Sequence, residues 1–169
     1  GANTATGGII VNGGLVTLTA SLANNAGNTI TVNSGGTFSI ARHDTFGDNG
    51  QTPVAPIVVQ AGGVFRNADG WFNGLGPITL RGGTLQALAA HSSGYSFPLK
   101  GKVTADGGAT TSRLTGPGIA LGSSLITEAT FEVVDGAATD DLLVEGALLD
   151  GPVNVFLQPQ PSGLRKTGA

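Results

Sequence analysis

Ile9-Ile10-Val11-Asn12-Gly13-Gly14-Leu15-Val16 and Ile78-Thr79-Leu80-Arg81-Gly82-Gly83-Thr84-Leu85 share one plan: an apolar run, a polar residue, a Gly-Gly pair and a second apolar run. The pair returns as Gly35-Gly36, Gly62-Gly63 and Gly107-Gly108, about every twenty residues or a little more, and unevenly. An irregular period of that size belongs to stacked repeats whose loops vary in length at one corner.

Aligned on the glycines, the chain falls into columns. Ile9/Val11, Ile30/Val32, Ile57/Val59 and Ile78/Leu80 precede the pairs two residues apart, hence on one face of a strand. Val16, Phe38, Phe65 and Leu85 follow, then Leu18, Ile40 and Ala87, with Asn67 as the exception. Asn12, Asn33, Gln60 and Arg81 stand just before the corners, where polar side chains can face solvent or bond along the stack. Glycine supplies the positive φ of a sharp bend. A Gly-Gly pair between alternating runs also suits a β-hairpin. A meander of hairpins, however, alternates different turns every 8–12 residues, whereas this chain has one such turn per repeat. The expectation is an all-β, right-handed parallel β-helix (β-solenoid) over residues 1–169. Residues 1–115 hold the regular rungs and 116–169 more degenerate ones.

Composition narrows the function. Of 169 residues, 29 are Gly and only 11% are charged, so the core is narrow and filled by small aliphatics. The net charge is −3, without a Lys/Arg cluster, which argues against nucleic acid as a partner. Cys is absent, excluding disulfides and thiolate metal sites and fitting an extracellular protein. No apolar stretch has the length of a membrane helix, so no membrane insertion is expected. The chain lacks Met, even at position 1, and shows no signal peptide, which predicts a segment of something longer.

Polar loops interrupt the repeats at 42–53, 67–76 and 91–98 and should project from a corner. Beyond Gly116, the acids Glu128, Glu132, Asp135, Asp140, Asp141, Glu145 and Asp150 accumulate with no Lys or Arg between Arg113 and Arg165, predicting an acidic outer face.

Gly1-Ala2-Asn3-Thr4-Ala5-Thr6-Gly7-Gly8, followed by Ile10-Val11-Asn12-Gly13-Gly14-Leu15, resembles the autotransporter-associated β-strand repeat, also called the passenger-associated transport repeat. Asn73 to Leu85 is similar to a continuation of that repeat, and Gly163-Leu164-Arg165-Lys166-Thr167-Gly168-Ala169 to its lead-in half. The strand that would join this end to the beginning is missing from the chain. The resemblance implies a stalk or scaffold in a bacterial secreted or surface-anchored protein, with a parallel β-helical passenger and no particular activity.

Candidate chemistry is sparse. His43, Asp44 and Asp48 form the most enzyme-like cluster, and His91 with Ser92/Ser93 the next, but neither has the context of a nucleophile. Glycosidic chemistry needs two converging carboxylates; adjacent Asp140 and Asp141 would point to opposite faces of a strand. Asp135, Asp140, Asp141 and Glu145 are the candidates for calcium, although no EF-hand or calcium-solenoid pattern is present. Trp71, Phe72 and Tyr95 could stack on a glycan or partner protein, or pack over the corner of the helix.

The reading is therefore a non-enzymatic structural element, extracellular or on the bacterial cell surface, with no cofactor. Its expected partners are neighbouring repeats or identical subunits stacked head to tail. An adhesin recognising glycan or protein through the three loops is the alternative, favoured if those loops cluster, and a β-helical carbohydrate-active enzyme is the third reading.

Overall fold

A computed structural model of the chain describes residues 7–22, 28–46, 55–68, 70, 72–91, 94–122, 128–152, 159–160 and 162–168. Within them all regular structure is β, and two sheets of parallel strands dominate. The first contains β1 (Ile9–Val11), β3 (Ile30–Val32), β5 (Ile57–Gln60), β7 (Ile78–Arg81), β10 (Val103–Ala105), β12 (Glu128–Val133) and β16 (Gly163–Thr167), in that order. The second runs β2 (Gly14–Leu18), β4 (Gly36–Ile40), β6 (Val64–Asn67), β8 (Thr84–Ala87), β11 (Ser112–Ala120) and β13 (Leu142–Leu149). A short β9 (Phe97–Pro98) pairs with the far end of β11, and β14 (Gly151–Pro152) pairs antiparallel with β15 (Pro159–Gln160). Each corner thus separates one strand of the first sheet from one of the second.

The columns read from the sequence are the registers of the ladders. Ile9, Ile30, Ile57, Ile78, Val103 and Phe131 follow one another across the first sheet. Val16, Phe38, Phe65, Leu85, Leu114 and Val144 do so across the second. In between, Thr31, Val58, Thr79 and Thr104 form an outer column of β-branched residues suited to a half-exposed pleated surface. The two inner faces meet in one core, in which Phe38 and Phe65 stack with ring centroids 5.4 Å apart. Beyond Gly116, a register shift carries β11 from its pairing with β8 to its pairing with β9.

The two glycines of a corner have different duties. Gly35, Gly62 and Gly82, first in their pairs, have φ of 74–75°, and Gly36 N donates to Asn33 O at 2.9 Å across the turn. The second glycine gives room to the neighbouring chain: a Cβ on Gly36, Gly63 or Gly83 would lie 2.6–2.7 Å from the carbonyl oxygen of Val11, Val32 or Val59.

Two corners depart from the expectation. In the first pair the positive φ belongs to Gly14, and a Cβ on Gly13 would meet nothing within 4 Å. Neither Gly107 nor Gly108 has positive φ, because the corner there is longer: residues 106–111 separate Ala105 from Ser112, where Arg81 and Gly82 alone separate Leu80 from Gly83. Ser112 Oγ, just past that corner, bonds to the preceding one, accepting from Gly82 N at 3.1 Å and donating to Leu80 O at 3.2 Å.

Candidate functional site

The loops at 42–46, 72–76 and 94–98 come together along a third side of the fold. Asp44 N donates to Phe72 O, Asn73 N to Ser96 O, Leu75 N to Pro98 O and Leu99 N to Ala120 O, at 2.9–3.0 Å. Four fully buried polar side chains hold this side together: Thr45, Asn67, Asn73 and Ser96. Asn73 Nδ2 donates to Arg42 O and to Asn67 Oδ1, and Thr45 N donates to Asn73 Oδ1 at 2.9 Å. Asn67 is therefore an interior hub rather than a defect in its column. The sequence signal for it was the column position itself, an inward place held by a side chain that must find partners.

The enzyme-like candidates are placed as follows. His43 and His91 meet edge to face with centroids 4.8 Å apart, and the Phe72 N–H donates to His43 Nδ1 at 3.0 Å. That bond leaves the ring proton of a neutral His43 on Nε2 and occupies the nitrogen that would otherwise act as a base. Asp44 has φ of 48°, the one positive value among described non-glycine residues, in a turn that Thr45 Oγ1 ties to Arg42 O. Phe72 and Tyr95 are 7% and 6% exposed and pack with Ala120 against Leu149, so neither offers a stacking face to a glycan. Asp48, Trp71, Ser92 and Ser93 lie outside the described residues, as do Gly1 to Thr6.

Three acids of the expected acidic face, Glu128, Glu132 and Glu145, are ion-paired. Arg113 reaches Glu145 and Arg165 reaches Glu128, both at 2.7 Å, and Lys102 pairs with Glu132, each link crossing between adjacent strands of a sheet. Arg81 pairs with Asp106 at 2.7 Å in the same manner. The Lys102 ammonium, hydrogen-bonded to Glu132 and attracting it, holds that carboxyl below its ordinary range. Cations and acids distant in sequence become neighbours one strand apart, which a linear charge count does not show. Of the calcium candidates, Glu145 is thus engaged by Arg113. Among the described residues no three His, Asp or Glu side chains, Asp135, Asp140 and Asp141 included, gather as a metal centre would.

A cleft of about 390 Å³ lies between β13 and β16, lined chiefly by Phe131, Leu142, Val144, Leu148, Leu164 and Lys166. Lys166 follows Phe131 in the inward column of the first sheet, and its Nζ donates to Gly168 O at 3.0 Å. Comparison with protein-family models, curated proteins and solved structures finds no match to this chain.

Proposed function

We propose that the chain is a structural segment, a right-handed parallel β-helix without catalytic activity. It serves as a scaffold or stalk of a bacterial secreted or cell-surface protein and stacks end to end into a longer array or filament. The observation that supports this reading is the exposure profile of one core column. Phe38, Phe65, Leu85 and Leu114 are fully buried, whereas Val16 at one end is 41% exposed and Val144 at the other 36%. A column sealed in its middle and open at both ends suits repetition along its axis. The right hand follows from the chirality that favours right-handed crossovers between parallel strands. The resemblance to the autotransporter-associated repeat points the same way.

Rigidity follows from construction. Successive strands are joined by parallel ladders, by the third-side hydrogen bonds and by the cross-strand ion pairs, so every part of the axis is tied to the next. Electron microscopy and light scattering of the isolated segment at rising concentration should show elongated assemblies. A monodisperse monomer at all concentrations overturns the stacking.

The gathering of the 42–46, 72–76 and 94–98 loops favours a second reading, an adhesin that recognises a glycan or protein along the third side. With Phe72 and Tyr95 packed inward, recognition there would rest on polar groups around His43, Asp44 and His91. Glycan-array binding that survives Tyr95→Phe and is lost in His43→Ala would support it. An array without signal removes it.

A further inference from the structure

Asn12, Asn49 and Asn73 are each followed by glycine, and of these Asn49 lies outside the described residues. An Asn-Gly pair is reactive by construction: the glycine nitrogen can attack the side-chain carbonyl carbon before it, and no Cβ shields that nitrogen. The attack needs a side chain turned toward its own backbone and a peptide that can rotate to bring the two atoms together. The fold treats the two described pairs in opposite ways.

Asn73 is locked. It is fully buried, its Nδ2 donates to Arg42 O at 2.9 Å and to Asn67 Oδ1 at 3.2 Å, and its Oδ1 accepts from Thr45 N at 2.9 Å. Its main chain is held on both sides, Asn73 N by Ser96 O and Leu75 N by Pro98 O. Between those bonds Gly74 lies under the Lys100 stem, so closely that a Cβ there would collide with Lys100 Cε. Neither the amide nor the peptide can turn.

Asn12 stands exposed at the first Gly-Gly corner. The ladder bonds stop at Val11 O, which accepts from Asn33 N, and resume at Gly14 N, which donates to Gly35 O. In the gap between them a Cβ on Gly13 would meet nothing within 4 Å, so the peptide has room to rotate. That openness belongs to the corner itself, since a Cβ on Gly35, one repeat further along, also meets nothing within 4 Å. Asn33 Nδ2 donates to Asn12 Oδ1 at 2.7 Å, which polarises the carbonyl to be attacked and offers a donor to the oxyanion that forms there.

We propose that Asn12 is a modification site at which the folded chain converts its own asparagine to aspartate and isoaspartate. The Gly13 nitrogen gives its proton to solvent and bonds to Asn12 Cγ, the Cγ–Nδ2 bond breaks, and ammonia leaves a five-membered succinimide. Water then opens the ring at either carbonyl. Opening at one restores the ordinary main chain with a carboxylate at position 12, which still accepts from Asn33. Opening at the other routes the main chain through the side chain and adds a methylene between Val11 and Gly14, whose partners Val32 and Gly36 are fixed by the two ladders. Either product adds one negative charge at the corner, and isoaspartate also strains its register.

The test incubates the full chain in warm, mildly alkaline buffer and follows it by mass spectrometry after trypsin. Cleavage after Arg42, Arg66 and Arg81 puts Asn12, Asn49 and Asn73 in separate fragments. Asn12 should convert with a mixture of aspartate and isoaspartate, and Asn73 about tenfold or more slowly. In urea the two should convert at similar rates. Gly13→Ala, which shields the attacking nitrogen at a place with room for the methyl, should slow conversion at Asn12 by about tenfold or more while the fold is kept. Equal rates at Asn12 and Asn73 in the folded chain, conversion of Asn12 only after unfolding, or a parental rate in Gly13→Ala overturns the proposal. A rate difference that persists unchanged in urea also overturns it, because the cause would then lie in the local sequence and not in the fold.

Discussion

Asn67 Nδ2 donates to Ser96 Oγ at 2.8 Å from a position that the ladder places between Ile40 and Ala87, in the core column. The bond joins the second sheet to the third side, and Asn67 Oδ1 accepts from Asn73 as well. Replacing Asn67 by Leu would match the apolar column but leave buried Asn73 and Ser96 without these partners. The expected cost is ~1–3 kcal/mol for the orphaned groups, read from the urea midpoint. A variant as stable as the parent would reduce Asn67 to a passive filler.

The division of labour within a Gly-Gly corner gives an ordered series. Gly62→Val forces a branched residue to a φ of 75° and should cost ~1–3 kcal/mol. Gly83→Ala should also be destabilising, for another reason: its Cβ would press on Val59 O at 2.6 Å. Gly13→Ala should be nearly neutral, since nothing lies within 4 Å of its Cβ. Thermal midpoints of the three variants check the order, and a Gly13→Ala loss equal to that of Gly62→Val would contradict it.

Phe65 is fully buried and stacks on Phe38, with Phe46 a further ring at 6.2 Å. Truncation to Ala would open a cavity between consecutive strands of the second sheet and should cost ~3–5 kcal/mol. Because neighbours carry stability along a stack, Phe65→Ala should raise hydrogen exchange on both β4 and β6. Exchange confined to β6 would show that the two strands open independently.

How much was legible in the sequence follows from what kind of regularity each feature has. The Ile and Val columns were readable because strand alternation and glycine spacing are local: the second sheet's ladders pair the residues that alignment on the glycines superimposes, and pairing Ile9 with Ile30 needs only a one-residue shift for Ser34. The fifth corner holds Gly107-Gly108 as its predecessors hold their pairs, but its greater length and the absence of positive φ at either glycine were not readable from the pair alone. The cross-strand ion pairs and the Asn67–Ser96 bond join residues far apart in sequence, so their partners emerge only when the register is fixed. Phe72 and Tyr95 illustrate a further limit: an aromatic in a loop reads the same whether it faces solvent or, as here, packs inward.

Acid should weaken the link between β10 and β12. Lys102 holds the Glu132 carboxyl below its ordinary range, so the folded pKa lies below the unfolded one. The contribution is then fully present above the unfolded carboxylate pKa and is lost as pH falls through the folded value. Both side chains are substantially exposed, so the effect is small and shrinks with salt. Glu132→Gln should lower the thermal midpoint slightly at neutral pH, with the two proteins converging in acid. A gap that stays constant down the titration would assign the loss to packing instead.

Lys166 sets the last test, because it puts a charge where the first sheet's inward column otherwise runs Ile30, Ile57, Ile78, Val103 and Phe131. An inward-pointing lysine on the edge strand that β16 forms among the described residues opposes close pairing there, since burying it would strand an ammonium in the core. Its bond to Gly168 O keeps the ammonium engaged beside the cleft that its stem helps to line. Lys166→Leu would extend the apolar column to the terminal strand and should lower the concentration at which the segment self-associates, seen as faster sedimentation at matched loading. Lys166→Glu keeps a charge at that place and should leave sedimentation close to the parent's. If Lys166→Leu sediments as the parent does at every concentration, the lysine is no guard and the end of the first sheet is not where copies meet.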